Sequence, residues 1–298
     1  MKFYHGAKKN GPYFEGWYFK HQSPGGKSLA LIPAFHTGRD GRRSASLQII
    51  TDDKSWWLEY PAGAFQASTN SLRLEAGPVL FHERGMEAGI RQDGLSLQGE
   101  LRYGPFSTLR SDIMGPFRFF PGMQCAHGVV SMGHSLAGSL RFNGELLDFS
   151  GGTGYIETDR GRSFPNAYLW TQCAWPDGGS LMLAIASVPM PAGGFTGCIC
   201  GILHQDREYR LATYRGARIE NWSAAGASVR QGRLRLRVEV LEERRQVLRA
   251  PVEGRMERGI HESLCAAVRY RLWSGETLLF QHTDRRASFE YSDQRTAQ

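Results

Sequence analysis

Three short stretches of this 298-residue sequence hold the residue types that proton-transfer chemistry needs. The first is Tyr13-Phe14-Glu15-Gly16-Trp17-Tyr18-Phe19-Lys20. On an extended strand Glu15, Trp17 and Phe19 share one face, while Phe14, Tyr18 and Lys20 share the other. A carboxylate beside an indole on an inward face is desolvated, which raises its pKa and makes it a proton donor. The same Glu15 could also pair with a Lys or Arg at a sheet edge, and both readings stand. The second stretch runs from Met114 to His134 and carries His127 and His134. Seven residues apart and without a third ligand at usable spacing, they do not predict a metal site. A neutral imidazole at His127 could act as a base or as a hydrogen-bond partner to a phenol. In the third, Gly151-Gly152-Thr153-Gly154-Tyr155-Ile156-Glu157-Thr158-Asp159-Arg160-Gly161-Arg162, extension puts Tyr155, Glu157 and Asp159 on one face. Two neighbouring carboxylates resist ionising together, so one can stay protonated and serve as an acid. The alternative is a salt-bridged corner in which Arg160 and Arg162 neutralise both.

Other familiar chemistries are missing from the sequence. It has no Gly-x-Ser-x-Gly elbow, no His-Glu-x-x-His and no dinucleotide fingerprint. Gly151-Gly152-Thr153-Gly154 is not followed by a helix pattern or a Lys-Ser/Thr pair, so it is not a phosphate loop. The five cysteines (Cys125, Cys173, Cys198, Cys200, Cys265) are an odd set without metal spacing, as expected of reduced thiols in the cytoplasm. No apolar run reaches the roughly 20 residues of a membrane-spanning helix. The N-terminus lacks the apolar core of a secretion signal.

The elements that must hold these stretches are strands. Gly or Pro interrupts the chain every few residues, and no long window carries a 3.6-residue period. Alternation is clearest from Arg233 to Val240, with Leu and Val on one face and charges on the other. Asn143-Gly144, Asp177-Gly178-Gly179 and Ser274-Gly275 sit between such runs as hairpin turns. Turn signals about every ten residues predict an all-β protein with more strands than one small barrel holds. We therefore expect two β-domains, residues 1–154 and 155–298, joined where Tyr155 to Pro165 breaks the alternation.

Taken together and in order, Phe14-Glu15-Gly16-Trp17-Tyr18-Phe19-Lys20, His127-Gly128-Val129-Val130-Ser131-Met132 and Gly154-Tyr155-Ile156-Glu157-Thr158-Asp159-Arg160-Gly161-Arg162-Ser163-Phe164-Pro165, with Trp170 and Gln172, resemble the tocopherol cyclase family. Phe195-Thr196-Gly197, Ala212-Thr213-Tyr214 and Ala250-Pro251-Val252-Glu253-Gly254-Arg255-Met256 extend the resemblance over nearly the whole chain. The resemblance implies a calycin-like fold of two lipocalin-like antiparallel β-domains side by side, related to carotenoid hydratases. It implies acid-catalysed closure of a prenylated quinol to a chromanol, an intramolecular lyase or isomerase reaction needing neither cofactor nor metal. Non-catalytic carriage of an apolar ligand, or hydration of a terpenoid alkene, is the alternative. Glu157 or Asp159 would be the acid, Glu15 the reserve acid, and His127 the group that orients or deprotonates the phenol. Trp17, Tyr155, Arg160, Phe164, Trp170 and Gln172 would line the substrate pocket, where aromatic faces shelter a cation. Arg160 stands where the family pattern carries Trp, and a cation beside a carboxylate lowers its pKa.

Partners follow the same logic. The formal charge of +7 comes from 36 Lys and Arg against 29 Asp and Glu. It splits evenly, +3 in residues 1–150 and +4 in 151–298, and the stretch from Asp112 to Trp175 is the least basic. Arginines alternating with apolar residues fit solvated strand faces, so no nucleic-acid partner is expected. The expected partner is a hydrophobic or amphiphilic small molecule, with peripheral membrane contact open.

Overall fold

The computed structural model describes residues 2–92, 94–120, 123–175, 177–188, 194–243 and 246–294. Within them the chain is all-β, with two antiparallel sheets, four short 3₁₀ turns and no α-helix. Among the described residues no helix is long and apolar enough to cross a membrane.

The first sheet holds β1 (Tyr13–Gln22), β2 (Ser28–Thr37), β3 (Arg43–Thr51), β4 (Ser55–Pro61), β5 (Phe65–Ala67), β6 (Arg73–Ala76), β7 (Val79–His82), β8 (Gly85–Gln92), β9 (Leu95–Tyr103), β10 (Cys125–Phe142), β11 (Glu145–Asp148) and β12 (Thr153–Gly161). Its order is β4-β3-β2-β1-β12-β10-β9-β8-β7-β6-β5, with β11 on β10. The second holds β13 (Ala167–Ala174), β14 (Ser180–Val188), β15 (Phe195–His204), β16 (Arg207–Ala212), β17 (Arg218–Ser223), β18 (Gly226–Gln231), β19 (Leu234–Glu242), β20 (Gln246–Val252), β21 (Arg255–Ser274) and β22 (Thr277–Asp293). Its order is β16-β15-β14-β13-β22-β21-β19-β18-β17, with β20 on β21. Both sheets begin with a four-strand meander, and in each the last strand returns to pair with the first.

Local chemistry explains the elements. Asn143 and Gly144 both adopt positive φ (48° and 90°), the conformation of a two-residue turn matched to strand twist, and close the β10–β11 hairpin. In β19 Leu236 and Val238 are buried while Arg235 and Arg237 face water, so period-two patterning sets its orientation.

By contacts the chain forms two compact units. Unit 1 contains residues 1–108, 129–163 and 249–258; unit 2 contains 109–128, 164–248 and 259–298. The join expected after Gly154 lies inside β12. Each unit has its own apolar core: Trp17, Phe19, Leu31, Leu47, Phe81, Leu97 and Ile156 are members of the first, and Leu169, Leu183, Ile202, Leu236, Tyr270 and Phe289 of the second.

Candidate functional site

In unit 1 the pairing of β1 with β12 sorts the expected site residues by face. The register sets Tyr18 opposite Glu157, Lys20 opposite Tyr155 and Gly16 opposite Asp159. It also sets Glu15 opposite Arg160, Trp17 opposite Thr158 and Phe19 opposite Ile156. Because side chains alternate, the second set belongs to the apolar core and the first set lies on the other face. Both faces are buried along most of these strands, so the run reads as mixed apolar and polar rather than amphipathic.

The face away from the core carries the candidate chemistry. The Tyr155 hydroxyl donates to Glu157 Oε2 at 2.5 Å. Glu157 is 5% exposed and Tyr155 1%. Burial, then the Glu157 charge, lifts the Tyr155 phenol well above its ordinary pKa, so it remains a hydrogen-bond donor at every working pH. Lys20, 1% exposed, and Tyr18 share this face. Directly opposed side chains have Cβ atoms about 4.5–5.5 Å apart, so Lys20 and Tyr18 frame the tyrosine–glutamate couple. Asp159, half-buried, continues the same face towards the strand end. A carboxyl held by a phenol in a water-poor setting can give up and recover a proton without moving.

Glu15 and Trp17 occupy the opposite, core-side face and cannot share a cavity with Glu157. Glu15, 2% exposed, accepts hydrogen bonds from the His5 backbone N–H, His5 Nδ1 and the Tyr13 hydroxyl, each at 2.8 Å. Three donors on one carboxylate tie the N-terminal segment to β1. Trp17 packs at a tilt against Tyr4 and Phe65, with centroids at 6.4 and 5.9 Å, as a core residue. Arg160 faces Glu15, not Glu157. Arg162 pairs with Glu253 at 3.3 Å.

Behind β12 lies a polar group that spacing did not single out. Gly154 pairs with His21 across the strands, and a Cβ at Gly154 would stand 2.2 Å from His134 Nε2. Only glycine allows the His134 ring to lie there. Its Nδ1 is 3.0 Å from the Ser131 hydroxyl, and its ring packs on Tyr103 and Phe106. Tyr103 and His21 Nε2 are hydrogen-bonded at 2.7 Å. Burial lowers the pKa of His21 to about 4 and of His134 to about 3, so both are neutral at pH 7. The glycine run 151–154 was the available signal, and its meaning is steric.

The remaining expected residues belong to unit 2. His127 opens β10 and is half-buried. Phe164 meets Tyr168 edge-on at 5.9 Å. Trp170 and Gln172 are buried on the face of β13 opposite the one that carries Leu169 and Cys173 into the core. On that face the Tyr168 hydroxyl donates to Glu290 Oε1, and the register places Glu290 opposite both Trp170 and Glu262. Glu262 and Glu290 are buried. Unit 2 thus also holds a buried tyrosine–glutamate hydrogen bond, here across its first and last strands rather than within one strand as in β12. Sequence reading missed Glu262 and Glu290, because single carboxylates flanked by aromatic or polar residues carry no spacing signal.

With this geometry in hand, comparison with known proteins shows the fold. No family model and no curated protein match the chain. An AttH-type protein of Nitrosomonas europaea superposes with a TM-score of 0.57 at 14% identity, over 94% of this chain and 92% of that one. Kievitone hydratase from Nectria haematococca superposes with a TM-score of 0.57 at 10% identity, over 95% of this chain and 90% of that one. The chain therefore has the calycin-like all-β architecture of these proteins along nearly its full length.

Proposed function

We propose that the protein is an acid–base catalyst that adds an oxygen nucleophile across an alkene of a prenylated, largely apolar small molecule. The observation that carries this reading is the buried Tyr155–Glu157 couple, 2.5 Å apart on a strand face that is polar yet shielded from water. Glu157 in its acid form gives its proton to the less substituted alkene carbon, and the π pair forms the new C–H bond. The tertiary cation left behind is sheltered by aromatic faces, of which Tyr18 is the one opposite Glu157; such contact is worth about 0.5–2 kcal/mol. An oxygen then bonds to the cation and releases its proton to the Glu157 carboxylate, restoring the catalyst. Tyr155 holds the carboxyl oriented through both halves of the cycle.

Two captures complete this step. If the substrate's own phenol is the nucleophile, the product is a ring isomeric with the substrate, in keeping with the resemblance to tocopherol cyclases. If water is the nucleophile, the product is a tertiary alcohol; this second reading draws support from the structural likeness to kievitone hydratase. Asp159, the next residue along the same face of β12, is assigned to orienting the nucleophile. Incubating the protein with a phytylbenzoquinol in ¹⁸O-labelled water separates the readings. A product of unchanged mass and new retention is the chromanol, and a product heavier by one labelled water is the alcohol. Recovery of only unchanged quinol, with the quinol bound, would replace the catalyst by a carrier.

A further inference from the structure

Segment 109–120 in unit 2 ends in two adjacent phenylalanines that face water: Phe119 is 73% exposed and Phe120 43%. Their base is fixed. Arg210, 4% exposed, donates to the Ser111 carbonyl, the Ser111 hydroxyl and the Asp112 carbonyl at 2.8–3.0 Å. The Tyr214 hydroxyl donates to the Ile113 carbonyl at 2.9 Å, and its ring lies over Gly115, where a Cβ would stand 2.6 Å from the ring. Ile113 and Met114 are buried, and Phe117 wedges against Phe195 and Tyr214. A rigidly held 3₁₀ turn, Gly115–Phe119, therefore presents two aromatic rings outward.

Residues 109–120 carry two arginines, Arg110 and Arg118, against one acid, Asp112. Arg110, Arg118 and Arg215 are exposed, and the Arg118 guanidinium lies 4.4 Å from the Phe119 ring centroid. The acid in the turn, Asp112, accepts from the Met114 N–H and pairs with Arg118 at 3.6 Å. Two rings are far less than the apolar area a stable protein interface buries, at least about 1,000 Å². Two aromatic anchors flanked by arginines are what shallow insertion beside anionic headgroups requires.

We infer that the Phe119–Phe120 tip with its arginine surround docks the protein on an anionic lipid bilayer. This inference stands apart from the proposed catalysis, since it rests on the tip and not on the Tyr155–Glu157 couple. The test is co-sedimentation of the full chain with vesicles of phosphatidylcholine alone and with one third phosphatidylglycerol, using wild type and a Phe119→Ser/Phe120→Ser variant. The expected result is binding to the anionic vesicles that weakens with salt and falls at least about tenfold in the variant, whose melting temperature and circular dichroism are unchanged. In a Phe119→Trp variant, vesicles containing brominated lipid should quench fluorescence beyond the wild-type level. Wild type that ignores anionic vesicles, or a serine variant that binds as well as wild type, would overturn the inference. So would a wild-type dimer that the serine variant converts to monomer, because the tip would then cover a second copy.

Discussion

At the scale of single residues, the proposed chemistry rests on Glu157 and its phenol partner. Glu157→Gln keeps size and hydrogen bonding but removes the transferable proton, so turnover should drop by about 10²-fold or more while ligand affinity stays within a few-fold. Tyr155→Phe should cost less, because the carboxyl loses its orienting donor and keeps its proton; steady-state kinetics on both variants reads the difference. The concern raised by Arg160 is answered by alternation: its Cα partner is Glu15, so its charge falls on the other face from Glu157. Alternation of Glu157 and Asp159 was legible from the sequence. The two His5 donors on Glu15 were not, because His5 reaches it from outside the strand.

The buried histidines set a pH dependence. His21, His36 and His134 have folded pKa values of about 4, 4 and 3, below the 6.5 of the unfolded chain. Below pH 6.5 the unfolded state therefore binds more protons than the folded state, and stability is lost as pH falls from about 6.5 towards 4. Above pH 6.5 these groups contribute no slope. Thermal melts between pH 8 and pH 4 should show a plateau followed by a decline, and His134→Gln should flatten part of that decline.

At the scale of elements, β12 matters because it presents Glu157 on one face and packs Gly154 against His134 on the other. Gly154→Ala would drive a methyl group to 2.2 Å from the imidazole, so the strand or the ring must shift. Overpacking of this kind costs about 1–3 kcal/mol. The fall in melting temperature and in turnover should be partly reversed in the double variant Gly154→Ala/His134→Ala, measured against each single change. A Gly154→Ala protein as stable and active as wild type would show that the packing is slack. Hairpins at Asn143-Gly144 and in β21–β22 were readable because turn chemistry is local. The pairing of β1 with β12 was not, since its partners lie more than a hundred residues apart and no short-range signal marks them.

For the whole molecule, both sheets begin with a four-strand meander, and in each the last strand returns to pair with the first. Alternation and turn density disclosed the all-β class and the excess of strands over one barrel. They could not disclose that segments 109–128 and 249–258 join the unit other than the one their neighbours in sequence suggest, because contacts made at long range decide that. The even spread of the +7 charge is consistent with exposed strand faces such as Arg235 and Arg237. Each unit holds a buried tyrosine–glutamate hydrogen bond, Tyr155–Glu157 within β12 in unit 1 and Tyr168–Glu290 across β13 and β22 in unit 2. Glu290→Gln, compared with Glu157→Gln under one assay, would tell whether the second couple also supports turnover.

The central claim is that Glu157 delivers a proton to an alkene carbon. Running the reaction of a phytylbenzoquinol in D₂O and locating the label by NMR addresses it most directly, with Glu157→Gln alongside. The expected result is one deuterium at the less substituted former alkene carbon in the wild-type product, and product from the variant at about a hundredth of the wild-type rate or less. Product without deuterium at that carbon, or a fully active Glu157→Gln protein, would contradict it.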